Sequence, residues 1–226
     1  MALESGALEC RFPVTIPVET LERAEFFDAF PHAASRVTSE AADGVYCLSP
    51  AVCYHAYEWF AGQRIPAPVV LTAVQSCFRE ADRAAAERPR LWEFTMREVV
   101  LIGPPDWVTA RCEEWADRIG RFAADLRLNP AVAPATDPFF GAAGRGRRLL
   151  QQVKGLKREL RVMCEGAQVA LASFNRHERF FADRFAFDLS GGSPAHSGCI
   201  AFGLERWALA ILEHRGAHAV AALVQE

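Results

Sequence analysis

No run of apolar residues in this chain approaches the roughly 18 that a membrane span requires, although 51% of its residues are hydrophobic. A membrane-crossing helix is therefore not among the expected elements. The first twelve residues, MALESGALECRF, place acidic groups early and have no apolar core behind a basic start, so they do not read as a signal peptide. Net positive charge is absent too, the formal balance being −3. No global field would hold a polyanion such as tRNA or DNA, and the basic residues between Arg145 and Arg161 amount to a local patch at most. Internal repeats and long low-complexity linkers are missing. Seven cysteines, an odd number without compact pairing, argue against a disulfide framework and for reduced thiols in a cytoplasmic setting. Some of those thiols are candidate metal ligands. What is present is 226 residues of ordinary globular composition, enough for one substantial core.

Hydrophobic spacing organises the chain. Val18 to Phe30 carries apolar positions at helical spacing and stops at Pro31. Val45 to Cys53 reads as a short strand broken by Pro50, followed by an aromatic-rich turn or helix through Phe60. Val69 to Arg79 and Glu93 to Gly103 are strand-like and form a hairpin with a long connection over 81–91. Val108, Cys112, Trp115, Ile119, Phe122 and Leu126 step by threes and fours, an amphipathic helix ending near Asn129-Pro130. Residues 131–146 are expected to be loop. Leu156 to Cys164 and Val169 to Asn175 form a second strand pair turning at Glu165-Gly166, and Cys199 to Phe202 is a short strand before a closing helix over 204–214. The expected class is α+β, one antiparallel sheet flanked by helices.

Two segments, in order, resemble the catalytic core of class II aminoacyl-tRNA synthetases. CFREADRAAAERPRLWEFTMREVVLIG (77–103) is similar to the second class motif, and GCIAFGLERWALAIL (198–212) to the third. A finer resemblance runs over residues 45–215: SPAVCYHAY, ATDPFFGAAGR, LKREL, ASFNRHERFF and AHSGCIAFGLER are each similar to a segment of the amino acid:[carrier protein] ligases. These are zinc-dependent relatives of the atypical seryl-tRNA synthetases that lack a tRNA-binding domain. The resemblance implies a single catalytic domain over 1–226, with a helical, dimerisation-related region at 1–44. It implies a homodimer that adenylates a small amino acid with ATP and magnesium, then passes it to the phosphopantetheine thiol of a carrier protein.

That chemistry brings a carboxylate onto a phosphate, two anions, so it needs charge neutralisation and alignment. Arginine suits the task because its fork binds phosphate oxygens bidentately. The matching residues are Arg79 for the α-phosphate and Arg206, in the first turn of the closing helix, for the γ-phosphate. The resemblance implies a zinc held by Cys53, Glu98 and Cys199, its open position taking the substrate amine. The residues support this separately: Glu98 shares a strand face with Phe94, Met96, Val100 and Ile102, and a carboxylate among apolar neighbours needs a partner or a metal. Cys53 and Cys199 also suit simple buried apolar cysteines. Glu80, Arg97, Lys157, Glu159, Ser173, Asn175 and Glu205 are expected around ATP or substrate. Lys157, Glu159 and Arg161 alternate on one strand face; for Ser173 and Asn175 a polar face toward solvent is an equal alternative. His177 and His196 flank the expected site and read as structural hydrogen-bonders.

The chain departs from the family pattern at several points. Where the second motif reads Arg, any residue, Glu, this chain has Arg79-Glu80-Ala81, displacing the glutamate that contacts adenine. Thr95, Ala142 and Arg176 stand where two arginines and an aromatic are expected. The competing reading is a non-catalytic synthetase-like module that binds an aminoacyl group or carrier protein. A tRNA synthetase proper ranks last, because the sequence shows no anticodon-binding segment.

Overall fold

The computed structural model describes residues 6–38, 44–80, 90–135 and 155–218. The 81–89 connection, the DPFFG segment, Ala142 and the basic residues of 145–154 lie outside these.

One seven-stranded sheet carries the fold, in the order β1 (Leu8–Cys10), β6 (Val69–Phe78), β7 (Glu93–Gly103), β12 (His196–Gly203), β10 (Ala167–Glu178), β9 (Lys157–Cys164) and β8 (Ala131–Pro134). The expected hairpin is present, β6 and β7 pairing from Val69↔Ile102 to Phe78↔Glu93. The second pair turns at the expected residues, Glu165 and Gly166, both with positive φ (48° and 80°). That is the backbone a two-residue hairpin loop requires, and glycine supplies its second position without steric cost.

Three expectations need correction. The sheet is not wholly antiparallel, since β1 runs parallel to β6 along its edge. Two smaller sheets stand beside it: β2 (Thr15–Pro17), β4 (Tyr46–Leu48) and β3 (Arg36–Val37), and the parallel pair β5 (Arg64–Ile65) and β11 (Asp188–Leu189). Residues 131–134, expected as loop, form β8, because the exposed edge of β9 offers them a hydrogen-bonding partner. The helix expected over 18–30 is two, α1 (Val18–Arg23) and α2 (Phe26–Ala29), divided where Glu25 turns left-handed at φ 51° and pairs with Arg184.

Strand alternation sorts the core into two sides. Val99 and Leu101 of β7 face the long helix α4 (Pro105–Asp125), which buries Val108, Cys112, Trp115 and Ile119, and the closing helix α6 (Leu204–Arg215), which buries Trp207 and Ile211. Val100 and Ile102 point the other way, against Tyr57 of α3 (Cys53–Trp59) and Phe181 and Phe185 of α5 (Phe180–Phe185). On this second side the apolar cover is incomplete and leaves a cleft open. Among the described residues no helix is long and apolar enough to cross a membrane.

Candidate functional site

Three elements converge on one buried cluster. Cys53 is the first residue of α3, Glu98 lies mid-strand in β7 and Cys199 mid-strand in β12. Their ligand atoms all lie within 4.8 Å of one another, and the three residues are only 2–6% exposed. Glu98 is opposite Ala73 on β6 and Ala201 on β12. Two small neighbours leave room for its carboxylate, which accepts a hydrogen bond from the Cys53 backbone N–H at 2.5 Å and one from Cys199 Sγ at 3.5 Å.

The electrostatics show what the cluster needs. Burial pushes the Glu98 carboxyl above its ordinary value, against the pull of its hydrogen bonds. The Cys53 thiol is raised well above its own by its hydrogen bond to Cys199, by burial and by the Glu98 charge. For Cys199 the hydrogen bond from Cys53 favours the thiolate, but burial and Glu98 outweigh it. Each acid therefore resists ionising while the others are charged, and a cation at their centre would reverse all three shifts at once. Two sulfurs and a carboxylate suit a borderline-soft divalent ion and leave one tetrahedral position open. The residues present fit a metal.

The cluster forms the floor of a cleft of about 590 Å³. Lys157, Glu159 and Arg161 line it from β9, and Ser173, Asn175 and His177 line it from β10. Both sets alternate as the strand period requires. Glu159 is paired with Arg161 at 2.6 Å. Arg79, at the end of β6, donates from Nε to the Pro50 carbonyl (3.2 Å) and lays its guanidinium over the Phe94 ring at 5.1 Å. Arg206, on the first turn of α6, donates to the Ala170 carbonyl at 3.2 Å. Among the described residues, five cationic side chains (Arg79, Arg90, Lys157, Arg161, Arg206) face three carboxylates in the lining, so this part of the cleft is locally positive in a chain of formal charge −3. Such a cavity favours an anionic occupant.

Not every candidate is brought here. Arg97 is turned to the opposite face by the alternation that aims Glu98 inward, and it bonds Thr72 and Glu9 instead. Glu80 is outside the lining; its carboxylate accepts from Ser35 Oγ (2.8 Å) and Trp92 Nε1 (2.9 Å). Glu205 does line the cleft, but one oxygen accepts the Thr95 backbone N–H at 2.7 Å, replacing the strand partner that β12 ceases to provide. His196 is absent from the lining, whereas His177 is part of it, hydrogen-bonded to the Tyr57 hydroxyl at 3.1 Å. Burial, with a smaller contribution from Lys157, lowers the His177 pKa to about 3, so the imidazole is neutral.

Sequence reasoning missed an aromatic wall formed by Phe26, Phe30, Tyr54 and Phe181. Helical spacing marked Phe26 and Phe30 as inward-facing, but no local signal separates a core from a cleft wall. Arg90 and Leu91, assigned to the hairpin connection, also reach the lining.

Comparisons with known proteins follow the same lines. No family model matches the chain. It is 33% identical over 241 residues to amino acid–[acyl-carrier-protein] ligase 1 of Bradyrhizobium diazoefficiens, covering 94% of this chain and 73% of that protein. With ligase 2 of the same organism it is 33% identical, covering 91% and 69%. A type-2 serine–tRNA ligase of Methanopyrus kandleri shares 27% identity over 187 residues, 77% of this chain and 36% of that one. Among solved structures, the M. kandleri seryl-tRNA synthetase in complex with tRNASec superposes with a TM-score of 0.80 at 22% identity, over 95% of this chain and 49% of that one. The cytoplasmic serine–tRNA ligase of Naegleria fowleri in complex with AMP gives 0.76 at 15% identity, over 94% and 46%. The structures share the class II synthetase fold, and the identity and coverage shared with the two Bradyrhizobium proteins place this chain in the amino acid–[acyl-carrier-protein] ligase family.

Proposed function

We propose that the protein activates a small amino acid as its aminoacyl-adenylate and transfers it to the phosphopantetheine thiol of a carrier protein. The observation that carries this reading is the buried Cys53–Glu98–Cys199 cluster on the floor of a locally positive cleft. In the first step a carboxylate oxygen of the amino acid bonds to the α-phosphorus of ATP, and the α–β phosphoanhydride breaks to release pyrophosphate. In the second the thiol sulfur bonds to the activated carbonyl carbon, AMP leaves and the thiol proton passes to solvent.

Cys53, Glu98 and Cys199 would hold a zinc ion, which would supply a Lewis-acid position for a neutral amine and so select a free α-amino group. The chain's own residues do the rest. Arg79 and Arg206, both in the cleft lining, neutralise phosphate charge as the two anions approach. Phe94 offers a ring face beside Arg79 for a purine. Glu159, steadied by Arg161, is the carboxylate for ATP-bound magnesium. The buried floor and aromatic wall keep water from the mixed anhydride.

A second reading has one observation in its favour. The Glu80 carboxylate is committed to Ser35 and Trp92 rather than to the cleft, as in a module that has kept amine recognition and given up ATP. Pyrophosphate exchange across the amino acids, with zinc-replete protein, separates the two. Exchange with a small amino acid supports the ligase. Silence at saturating ATP, with an aminoacyl analogue still bound, leaves the binding module.

A further inference from the structure

Cys53 and Cys199 are not equivalent. Two N–H-bearing side chains of β10 reach the Cys199 sulfur: Asn175 Nδ2 lies 3.4 Å from Sγ, and His177 Nε2 lies 3.9 Å from it. Both face the cleft, two residues apart on one strand, with Asn175 directly opposite Cys199 in the ladder. The nitrogens of His177 have distinct neighbours. Nδ1 faces two hydroxyls, Tyr57 at 3.1 Å and Ser197 at 3.5 Å. Tyr57 and Ser197 are both fully buried, and their hydroxyls hydrogen-bond each other as well as facing Nδ1. The pair therefore has two hydroxyl hydrogens to place, and Nδ1 accepts the one the pair itself cannot. A neutral imidazole that accepts at Nδ1 carries its proton at Nε2, the nitrogen facing sulfur. The ring is held edge-on to Phe181, centroids 4.8 Å apart, so packing and hydrogen bonding fix the same orientation. His177 does not join the three residues whose ligand atoms all lie within 4.8 Å of one another. Its place is beside one ligand, outside the ligating set.

We infer that Asn175 and His177 form an N–H cradle for the Cys199 thiolate, with Tyr57 setting the tautomer that points the His177 proton at sulfur. This rests on the zinc reading above and adds to it a division of labour between the two sulfurs. Hydrogen bonds to a metal-bound thiolate draw electron density from it, so the cradled sulfur donates less to the metal. The metal is then left more electrophilic at its open position, where a neutral amine must bind. His177 is thus a positioning residue that acts through Cys199. The Asn175 amide, expected to contact nucleotide or aminoacyl group, shares its two N–H groups among Cys199 Sγ, the Cys199 carbonyl oxygen (3.3 Å) and Ser173 Oγ (3.1 Å).

The test is cobalt(II) substitution, read by the thiolate-to-cobalt charge-transfer absorption, with zinc affinity from chelator competition. His177→Phe keeps the ring volume and removes the donor. The absorption moves to lower energy as the sulfur becomes more electron-rich, and zinc affinity falls roughly tenfold because the contact that orients the ligand is lost, which outweighs the stronger donation. His177→Gln, which restores an N–H, returns both toward wild type. Tyr57→Phe shifts them part of the way by releasing the tautomer, and still reports if His177→Phe does not fold. Equal displacement in the Gln and Phe variants makes His177 a packing residue and overturns the cradle, as does an unmoved absorption in either His177→Phe or Tyr57→Phe. A wild-type protein that takes up no cobalt fails earlier and removes the metal reading itself.

Discussion

The two ends of the cleft are built in opposite ways. At the floor every functional side chain leaves a buried element: Cys53 starts a helix sunk in the core, and Glu98 and Cys199 sit mid-strand near the centre of the seven-stranded sheet. At the end proposed for the nucleotide they leave element termini: Arg79 just past β6, Arg90 just before β7, Arg206 in the first turn of α6. The floor retains all three expected residues, whereas the departures at Glu80 and Thr95 fall outside the cleft lining, and that at Arg176 falls between two of its β10 residues. Strand-centre positions are fixed by neighbours on both sides, and changing one disturbs the core. Element ends and long side chains adapt more cheaply. On the proposed function, amine selection is the part held by the core and nucleotide handling the part left to element ends.

Breaking the floor should have the largest effect. Cys53→Ala removes one of two thiolates, and the protein is expected to fall from about one zinc per chain to little, with exchange activity lost alongside. Metal analysis of the purified variant checks this, and full zinc retention in both Cys53→Ala and Cys199→Ala would refute the assignment. Next comes the other end alone: Arg206→Ala should lower exchange by roughly 10²- to 10³-fold while zinc content stays at the wild-type level. Loss of zinc in that variant would show the two ends to be coupled and erase the contrast between them.

A pH measurement sharpens the picture of the floor. His177 has a folded pKa of about 3 and His55, buried beside Ser49, one of about 4, against an ordinary value of 6.5. On acidification the unfolded chain takes these protons first, so stability present above pH 6.5 is lost as pH falls through the folded values. Glu98 runs the other way, its folded pKa being raised, and favours the fold in acid. Metal-free His177→Gln should therefore lose melting temperature less steeply than metal-free wild type between pH 6.5 and 4. Parallel curves would mean that His177 is not buried neutral. The smallest effect is expected at Glu80. As the carboxylate joining Ser35 to Trp92, its replacement by Ala should cost about 1 kcal/mol of stability. The KM for ATP should move no more than about twofold; an adenine-reading carboxylate would cost roughly five- to a hundredfold.

How much of this was legible follows from where each residue sits. Glu98 could be read because a carboxylate in the middle of an alternating apolar strand is costly to bury unless a cation or a set of donors meets it. The alternation of Lys157, Glu159 and Arg161 was likewise open to inspection, and the structure puts all three in the cleft. Arg97 shows what a motif match loses when strand period is not applied to it, since a residue next to Glu98 must face away. The break at Glu25 was hidden because it depends on Arg184, 159 positions along the chain, and no window on the sequence joins the two. Phe26 and Phe30 looked like core because cleft walls and cores share the same composition; only the cover missing above them makes the difference.

Behind Cys199 stands Gly198, where an added methyl would meet the Asn175 carbonyl oxygen and Cys112 Sγ, each at 2.9 Å. The proposed metal ligand is thus separated from the long helix on the far side of the sheet by a residue with no side chain, and Cys112 Sγ is the helix atom that fills the gap. A random-mutagenesis screen for loss of the proposed amine recognition would accordingly recover hits at position 112, in the core on the side of the sheet away from the cleft. Such alleles would look like folding defects in a map of the cleft, yet they would be errors of alignment, passed through the thickness of one strand.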